Sequence, residues 1–382
     1  MIGTRGVPAS YGGFETAVEE IGRRLVQRGH EVTVYTRPEK GQAQIPHEYL
    51  GMVLVPLPAV HRKSLETLTH TGVSVGHLIS RRRPDAGILF NAANAIYLPA
   101  LRSRGIPVAT HVDGLEWRRS KWGGAGHRFY RMSEALAVRW SDALIADAPG
   151  IAAYYREEFG ATTDLITYGA PLLTEAPASD LPASVVPDSY HLIVARFEPE
   201  NHVLEAVRGF VASAARHPLV VVGGAPFAAE YTERIQRACD ERVRLLGPIY
   251  DQPTLDALYF HANTYVHGHS VGGTNPSLLR AMGAGTTTLA YDVVFNRDVL
   301  GVDGRFWSDP LDLATLLEKA EIDPVATAAT GEHLRTRAAE VYDWDRVTDL
   351  YEDLASRLST GQSQAGRYRR RRRSTWAVDA AS

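Results

Sequence analysis

The sequence predicts an α/β protein built from two doubly wound, Rossmann-like domains, and three observations carry this prediction. Short apolar runs typical of buried strands alternate with amphipathic helical stretches, which is the pattern of a parallel sheet covered on both faces. One proline-rich segment interrupts this alternation, which then resumes. With 382 residues, 45% of them hydrophobic, the chain is long enough to bury two cores.

The first predicted domain covers residues 1–170. Met1 and Ile2 are typical of the end of a strand, and we expect that strand to begin before Met1. A helix that ends near Gly29 is predicted by apolar residues at helical spacing, which are Phe14, Ala17, Val18, Ile21 and Leu25. Further strands are predicted at residues 31–36, 52–57, 86–90, 107–111, 143–146 and 165–167.

Residues 171–189 are predicted to be an interdomain linker, because prolines recur there among alanine, serine and acidic residues. The second domain is predicted over residues 190–341, with strands at 191–195, 219–222, 243–246, 264–266 and 287–291. A last helix is predicted over residues 342–360. Residues 361–382 form a polar, arginine-rich tail that we expect to be disordered.

Composition excludes several classes of protein. The formal net charge is −3, so no field of the whole protein favours nucleic acid. A single cysteine, Cys239, precludes an internal disulfide and fits a reducing compartment. No apolar run approaches the roughly 20 residues that span a bilayer, and the N-terminus lacks a basic-then-apolar signal pattern. We therefore expect a soluble protein of the cytoplasm.

The charge is unevenly distributed along the chain. The tail from Arg367 carries six arginines, Arg367 and Arg369–Arg373, against one acid, Asp379. Its net charge is +5, which leaves −8 for residues 1–366. Two interpretations remain open for the tail: a solvated end, or peripheral contact with anionic lipid at the inner face of the plasma membrane.

The segment from His267 to Met282 carries the most informative pattern. It follows a buried strand, supplies a loop of small residues, and leads into a helix with Pro276 near its first position. Backbone N–H groups and the positive end of the helix dipole attract anions at such a junction, and the diphosphate of a nucleotide sugar is a natural occupant. An ordinary glycine-rich connection is the alternative, and this segment alone does not decide between them.

Ligands of doubly wound sheets bind beyond the carboxyl ends of the strands, so we expect an active site in a cleft between the loop-bearing edges of the two domains. Arg196 follows one such strand and could bind a diphosphate, whereas a salt bridge with Glu198 or Glu200 is the alternative. Residues 110–122 gather His, Asp, Glu, Arg, Lys and Trp, which suits sugar binding. A buried Trp pair flanked by ion pairs is the alternative there.

The first loop, residues 3–15, is rich in glycine but contains neither a dinucleotide fingerprint nor a Walker motif. We therefore interpret Gly12 and Gly13 as a close backbone approach to a ligand, with Arg5 available as a cation. No metal or cofactor is predicted, because no His/Cys cluster has ligand spacing. Asp343 and Asp345 are better explained by a helix N-cap.

Three motifs of this chain resemble the retaining family-4 glycosyltransferases of GT-B fold. They are GTRGVPASYGGFET at residues 3–16, VDGLEWRRSKW at residues 112–122 and GHSVGGTNPSLL at residues 268–279. They look most like the branch of bacterial capsule and cell-wall rhamnosyltransferases. YDWDR at residues 342–346 also resembles that family's closing helix, which crosses back to the first domain, so the resemblance covers residues 1–358.

The resemblance implies a nucleotide-sugar donor, dTDP-L-rhamnose for this branch, bound mainly by the second domain, and an acceptor bound mainly by the first. The residues that it assigns to the donor lie in loops at strand ends or in the helix that follows: Gly12, Gly13, Arg196, Gly272, Gly273, Thr274, Asn275 and Arg280. His111 and Asp113 are implied to lie near the transferred sugar and, with Arg196, to act in catalysis. The acceptor is assigned to Arg5, Glu116 and Trp117.

The chain departs from the family's pattern in two places. Many members place a lysine a few residues after the phosphate arginine, where this chain has Asn201 and His202. They also carry two glutamates eight positions apart, the second of which contacts the nucleotide ribose. Those positions fall on Gly272 and Arg280, and Arg280 would add charge for phosphate instead.

These inferences predict a metal-independent glycosyltransferase that transfers a sugar with retention to a cell-surface polysaccharide or a lipid-linked saccharide. Two other functions fit the same fold. One is a sugar-nucleotide 2-epimerase, which needs acid and base carboxylates around C2. The other is a noncatalytic protein that binds nucleotide sugars, which the replaced lysine and glutamate positions would favour.

Overall fold

The computed structural model describes residues 1–9, 13–38, 46–60, 65–112, 114–118, 123–177, 179, 181–224 and 229–364. The chain divides into two compact units. Unit 1 comprises Met1–Thr167 and Trp344–Ser382, and unit 2 comprises Tyr168–Asp343. Both units combine parallel sheets with helices, so the predicted fold class is confirmed. Within the described part of the chain, no helix is both long and apolar enough to cross a membrane.

Unit 1 contains two groups of strands and the helices that cover them. Its strands are β1 (Thr33–Thr36), β2 (Glu48–Tyr49), β3 (Met52–Pro56), β4 (Gly87–Phe90), β5 (Val108–His111), β6 (Ala143–Ala146) and β7 (Asp164–Leu165). Its helices are α1 (Gly13–Gln27), α2 (Glu66–Ile79), α3 (Leu98–Ser103), α4 (Gly124–Trp140), α5 (Pro149–Phe159) and, after unit 2, α13 (Trp344–Ser359). The strand orders are β1-β3-β2 and β4-β5-β6-β7.

The first two residues join these two sheets. Tyr35 N–H donates to the Met1 carbonyl (3.1 Å), and Phe90 N–H donates to the Ile2 carbonyl (2.9 Å). Ile2 also forms a parallel bridge with Leu89 of β4. Residues 1–2 therefore lie between β1 and β4 in the manner of a strand, as the sequence predicts.

Helix α13 returns the chain to unit 1, where it packs on α1. Arg24 of α1 binds Asp345 (2.8 Å), and Arg28 binds both Asp349 and Glu352 (2.7 Å each). Pairs this exposed contribute only about 0–1 kcal/mol each. The buried residues of the α13 face, Val347, Tyr351 and Leu354 among them, therefore supply most of the docking energy.

Unit 2 is a single parallel sheet with helices on both faces. Its strands are β8 (His191–Val194), β9 (Leu219–Val222), β10 (Val243–Gly247), β11 (Thr264–His267), β12 (Thr287–Tyr291) and β13 (Arg305–Trp307). Its helices are α6 (Val203–Ala212), α7 (Ala229–Ala238), α8 (Gln252–Phe260), α9 (Pro276–Gly283), α10 (Val294–Leu300), α11 (Pro310–Ile322) and α12 (Pro324–Val341).

The order of strands in unit 2 is β10-β9-β8-β11-β12-β13. The chain thus builds outward from β8 in one direction and from β11 in the other, so the order reverses between these two strands. Crevices at such switch points, outside the carboxyl ends of the strands, are where doubly wound sheets bind ligands. Strands β9 and β11 are buried along their whole length, as central parallel strands covered on both faces should be.

The proline-rich segment of residues 171–189 lies inside unit 2 rather than between the units. Leu173 N–H donates to the Gly283 carbonyl (2.9 Å), Asp188 N–H donates to the His261 carbonyl (2.8 Å), and Val185 is buried in a core cluster. Its composition indicated a linker, but apolar residues between the prolines pack against the sheet.

Residues 361–364, which the sequence assigned to the tail, contact unit 1. Gln364 N–H donates to the Asp142 carbonyl (2.7 Å), and the Ser363 hydroxyl donates to the Asp142 carboxylate. The arginine-rich part of the tail lies outside the described residues. The sequence also did not predict strands β2 and β13, which are only two and three residues long.

We expect Gly283→Ala to destabilise unit 2. A Cβ atom on Gly283 would lie 1.9 Å from the Pro171 carbonyl oxygen, so α9 or the segment beneath it must move. Overpacking of this kind costs about 1–3 kcal/mol, measurable as a lower urea midpoint by circular dichroism. Gly76→Ala is the control, because the replaced glycine is inside α2 and no described atom would lie within 4 Å of the added Cβ atom. That variant should be neutral or slightly stabilised, and equal losses in both variants would contradict the argument.

Candidate active site

Two loops meet at the carboxyl ends of β8 and β11, where the strand order of unit 2 reverses. Residues 196–202 follow β8, and residues 268–275 follow β11. His269 Nδ1 donates to Asn201 Oδ1 (2.7 Å), and Ser270 N–H donates to the Glu200 carbonyl (3.0 Å). The loops that the sequence predicted to bind phosphate are therefore held together as one surface.

Asn201 and His202, which occupy the positions where the family has lysine, hold this surface in place. Asn201 Nδ2 donates to the Arg196 carbonyl (2.8 Å), and His202 Nδ1 donates to the Gly268 carbonyl (2.8 Å). The His202 ring stacks on Tyr291 with centroids 4.0 Å apart. His202 has a φ of 46°, an unusual value for a non-glycine residue, and these contacts stabilise it.

Two glycines allow close backbone approaches at the carboxyl ends of these strands: Gly268 in the loop after β11, and Gly223 directly after β9. A Cβ atom on Gly268 would lie 2.1 Å from the Asn201 carbonyl oxygen, and one on Gly223 would lie 1.8 Å from the Ala195 carbonyl oxygen. Backbone atoms occupy both positions, so a side chain at either glycine would force the neighbouring backbone segments apart.

Arg196 lies directly beyond β8 with about two-fifths of its side chain exposed, and its Nη2 is 3.5 Å from Glu198 Oε2. The salt bridge that the sequence allowed as an alternative is therefore present. An exposed pair contributes only about 0–1 kcal/mol, whereas a charge-assisted contact with an anion contributes about 1.5–3 kcal/mol. An arriving phosphate can therefore compete with Glu198 for the guanidinium.

Helix α9 begins directly after the second loop. Asn275 is its N-cap, and its Oδ1 accepts a hydrogen bond from Ser277 N–H (2.9 Å), while Pro276 occupies the first helical position. The Asn275 side chain is thus engaged in capping the helix. Thr274 is buried, and Gly272 has a φ of +131° that favours glycine. The loop of Gly272 and Gly273 leads directly into this helix N-terminus.

Arg280 lies on α9, one turn beyond the cap, and forms an ion pair with Asp256 of α8. Its guanidinium is largely buried in that pair. The sequence assigned Arg280 to the donor phosphates, but in the structure its charge is already neutralised by a carboxylate. The ion pair links α8 to α9, and this structural role explains Arg280 without any bound ligand.

In unit 1, His111 ends β5 and is 1% exposed. Its ring stacks on Phe90 (centroids 5.6 Å apart) and meets the edge of Phe14 (5.2 Å). Burial lowers the pKa of His111 to about 3, so the imidazole is neutral near pH 7. It can exchange hydrogen bonds there but does not carry charge. Asp113, its predicted catalytic neighbour, lies outside the described residues.

Glu116 and Trp117, predicted to bind the acceptor, form a short 3₁₀ helix with Arg118 beyond β5. The Arg131 guanidinium lies 4.8 Å from the centre of the Trp117 ring. This contact places Trp117 beside a charged group, whereas Trp122, the second tryptophan of the segment, lies outside the described residues. Glu116 lines a shallow depression together with Asn91, Gly114, Tyr130 and Glu134.

Glu134 was missed by sequence analysis. It lies on the buried face of α4, and its Oε2 accepts a hydrogen bond from the Tyr154 hydroxyl (2.8 Å). Burial raises the pKa of Glu134 to about 7, although Tyr154 and Arg131 lower it. Arg131 also bonds Glu158 (2.7 Å) and lies over the Trp117 ring, so this network contacts the 3₁₀ helix of residues 116–118. Nothing in the periodicity of α4 distinguishes Glu134 from a surface acid.

The first loop is held by two glutamates of α1. Glu15 Oε1 accepts from Arg5 N–H (2.9 Å), and Glu19 Oε2 accepts from Ala9 N–H (2.7 Å). Glu15 therefore does more than compensate the dipole of α1, in whose first turn it lies. The Arg5 residue is exposed, and Gly13 is the first residue of α1. Gly12 lies outside the described residues.

Buried histidines predict how stability depends on pH. Burial lowers the pKa of His111 and of His267 to about 3, against about 6.5 in the unfolded chain. The unfolded chain therefore binds more protons between these values, and stability is lost as the pH falls from 6.5 towards 3. Each ring contributes at most about 1.4 kcal/mol per pH unit.

We expect the free energy of unfolding in urea to fall between pH 7.5 and 5.5, and to fall by about 1 kcal/mol less in His111→Phe. Phenylalanine is chosen because Phe90 and Phe14 flank the ring and accept an aromatic neighbour. His333→Ala, which removes an exposed imidazole, is the comparison variant measured beside it. Identical pH dependence in wild type and His111→Phe would contradict the prediction.

Two doubly wound α/β units form the architecture of GT-B glycosyltransferases, and unit 2 carries its loops at a switch point. Comparisons with known proteins agree with this class. Residues 12–169 match the family described as "Glycosyl transferase 4-like domain", and residues 189–321 match "Glycosyl transferases group 1". The chain is therefore a glycosyltransferase of GT-B type, formed from these two domains.

Solved structures resemble this chain over nearly its whole length. Sucrose-phosphate synthase from Thermosynechococcus elongatus superposes with a TM-score of 0.78 at 19% identity, covering 91% of this chain and 94% of that one. HepE from Anabaena, in complex with UDP and glucose, gives 0.70 at 15% identity, covering 92% and 98%. A glycosyltransferase from Rickettsia africae gives 0.67 at 10% identity, covering 93% and 98%. Among curated proteins, none matches the chain.

Proposed function

We propose that this glycosyltransferase transfers L-rhamnose from dTDP-L-rhamnose, with retention, to a cell-surface polysaccharide or a lipid-linked saccharide. The observation that carries the proposal of a diphosphate donor is the joined surface of residues 196–202 and 268–275 at the switch point of unit 2. There an exposed arginine and the N-terminus of α9 belong to loops that bond to each other. The choice of rhamnose rests on the three sequence motifs.

In this reaction the bond between the sugar C1 and the diphosphate oxygen breaks, and an acceptor hydroxyl oxygen bonds to C1 as its proton leaves. Negative charge builds on the departing diphosphate, so groups that stabilise it lower the barrier directly. We assign that role to Arg196, with Gly272, Gly273, Thr274 and Asn275 presenting backbone to the phosphates. His111 would contact the sugar as a neutral ring.

The donor is tested by thermal denaturation with dTDP-L-rhamnose, dTDP, UDP-glucose and UDP. UDP-glucose is included because HepE has been crystallised with it. A ligand at about 100 times its Kd stabilises the protein by about 2.7 kcal/mol, which gives a shift of several degrees. We expect the dTDP ligands to raise Tm more than the UDP ligands. The opposite order would reassign the donor and leave the class of enzyme intact.

Turnover separates transfer from its alternatives. Incubation of the bound donor without acceptor should leave the sugar unchanged apart from slow hydrolysis, whereas a 2-epimerase would convert it. With rhamnan or lipid-linked saccharide acceptors, the α- or β-configuration of the product, read by NMR, tests retention. Tight donor binding without turnover on any acceptor would favour a noncatalytic binding protein.

We also propose that the arginine-rich tail brings the enzyme to anionic lipid, near a lipid-linked acceptor. Each arginine near such a surface contributes about 1 kcal/mol, so six could give salt-sensitive attachment. A chain that ends at Gln364 keeps the contacts of residues 361–364 with unit 1. It should cosediment less with anionic vesicles at low salt while keeping transfer to a soluble acceptor. Equal cosedimentation of both chains would identify the tail as a solvated end.

A further inference from the structure

A second cluster of polar side chains lies at the opposite edge of the unit 2 sheet. His191 is the first residue of β8, His217 lies two residues before β9, and Glu321 is near the end of α11. One ring nitrogen or carboxylate oxygen from each residue lies within 4.8 Å of the other two. Sugar transfer at the carboxyl edge gives no reason for two histidines and a glutamate at the amino edge.

The spacing of the first two ligand atoms suits a metal ion. His191 Nε2 and Glu321 Oε1 are 3.1 Å apart. Tetrahedral zinc holds nitrogen and oxygen ligands at about 2.0–2.2 Å, which separates neighbouring ligand atoms by about 3.4 Å. An ion can therefore replace the hydrogen bond between this pair with little movement of either side chain.

Backbone groups hold the Glu321 carboxylate beside the two rings. Glu321 accepts hydrogen bonds from the N–H groups of Arg216 and His217 (2.8 Å each). Imidazole nitrogens and carboxylate oxygens are groups that divalent transition metals bind.

The other nitrogen of the His191 ring also has a suitable partner. His191 Nδ1 lies 2.8 Å from Thr264 Oγ1. When Nε2 binds a metal, the ring proton resides on Nδ1 and can be donated to this hydroxyl. Ligating histidines are usually oriented by such an outer hydrogen bond.

His217 supplies a further, independent observation. Its Nδ1 atom is buried and has no hydrogen-bond partner among the described residues. Buried polar atoms without partners are rare, and each one calls for an explanation such as a bound ion. The His217 ring lies beside that of His191, with centroids 6.0 Å apart.

We propose that His191, His217 and Glu321 bind a divalent transition-metal ion, with Zn²⁺ as the preferred species. Two imidazoles and one carboxylate form a ligand set that zinc accepts, with water in the fourth position. Glu321 is partly exposed, which gives water access. The ion would join β8, the segment before β9, and α11, so its role is to stabilise unit 2 rather than to take part in sugar transfer.

The test uses the tag-free, full-length protein, which is stripped with a chelator, incubated with excess Zn²⁺ and dialysed. Elemental analysis should then find one equivalent of Zn²⁺, and calorimetric titration of the stripped protein should give its Kd. His217→Ala and Glu321→Gln should each weaken binding at least about 10-fold, and Thr264→Val by about 10-fold through the outer hydrogen bond. Glutamine at position 321 keeps an oxygen for the N–H groups of Arg216 and His217, so this variant should fold.

The matched control is His333→Ala. His333 Nδ1 lies 3.3 Å from Asp303 Oδ1, so it forms an exposed His–carboxylate pair outside the three-residue cluster. This variant should bind zinc like the wild type, and Zn²⁺ should raise the Tm of both but not that of His217→Ala. Absence of zinc binding by the wild type would overturn the proposal. Equal affinity in the wild type and the two cluster variants, or equal loss in the control, would overturn it as well.

Discussion

Arg196→Ala should lower kcat by about 10- to 150-fold and leave the Tm of the protein without ligand nearly unchanged. Under the proposed function, the variant loses a charge-assisted contact with the leaving diphosphate, and such a contact contributes about 1.5–3 kcal/mol as charge develops there. The fold should tolerate the change because the side chain is exposed and its partner Glu198 is also near the surface. Initial rates with saturating dTDP-L-rhamnose, or with the donor that thermal denaturation identifies, measure the effect.

Arg237→Ala is the control for this experiment. Arg237 is an exposed arginine of α7 that pairs with Glu233 (3.0 Å), so the variant loses the same type of side chain and the same type of salt bridge. Its rate should match that of the wild type. Arg196→Lys should recover only part of the activity, because lysine keeps the charge but not the two-pronged geometry. A rate for Arg196→Ala within twofold of wild type would remove Arg196 from the site.

The fold could be predicted from the sequence because each central strand is a short apolar run that can be recognised without knowing its partners. LVVV at residues 219–222 can be buried on both faces whatever surrounds it, and alternation with helices then predicts a doubly wound sheet. The order of the strands, and with it the switch point between β8 and β11, is known only from the structure. Strands β2 and β13 were not predictable in this way. Both strands are too short to show a recognisable pattern of apolar residues. They are defined by their pairing, β2 with β3 and β13 with β12.

The details of the candidate site depend on partners far apart in sequence. Asn201 and His269 are 68 positions apart, and Arg280 and Asp256 are 24 apart on different helices. Local pattern therefore showed that polar residues gather at strand ends but not which of them bond to one another. For Arg280 this changed the interpretation, because its charge is directed to Asp256.

The replaced lysine position shows how such partners alter a functional argument. Taken alone, Asn201 and His202 suggest a weakened phosphate site and favour a noncatalytic protein. In the structure both side chains connect the 196–202 loop to the 268–275 loop. The departure therefore removes a lysine charge but supplies two side chains that join the loops, and under the proposed function the positive charge for phosphate comes from Arg196.

Gly268→Ala should reduce donor affinity at least about 10-fold, because the added Cβ atom would lie 2.1 Å from the Asn201 carbonyl oxygen and 3.2 Å from the His202 Cβ atom. Both are parts of the opposite loop, so the two loops must separate. A shift of about 1 Å in a positioned group can cost a 100-fold loss of rate, so kcat should fall as well. Calorimetry with the dTDP ligands, together with initial rates, measures both effects.

Gly224→Ala is the control for Gly268→Ala, since it too changes a glycine beyond a strand end of the same sheet. The nearest atom to its Cβ would be Pro248 Cδ at 3.8 Å, an ordinary contact. Its donor affinity should remain near wild type, which would show that loss in Gly268→Ala comes from separated loops rather than from any added methyl group.

Loop separation should also remove the hydrogen bond between His202 and the Gly268 carbonyl, so a crystal structure of Gly268→Ala should show the His202 ring displaced from Tyr291. Unchanged affinity in a folded Gly268→Ala protein would mean that the donor does not bind where these two loops meet.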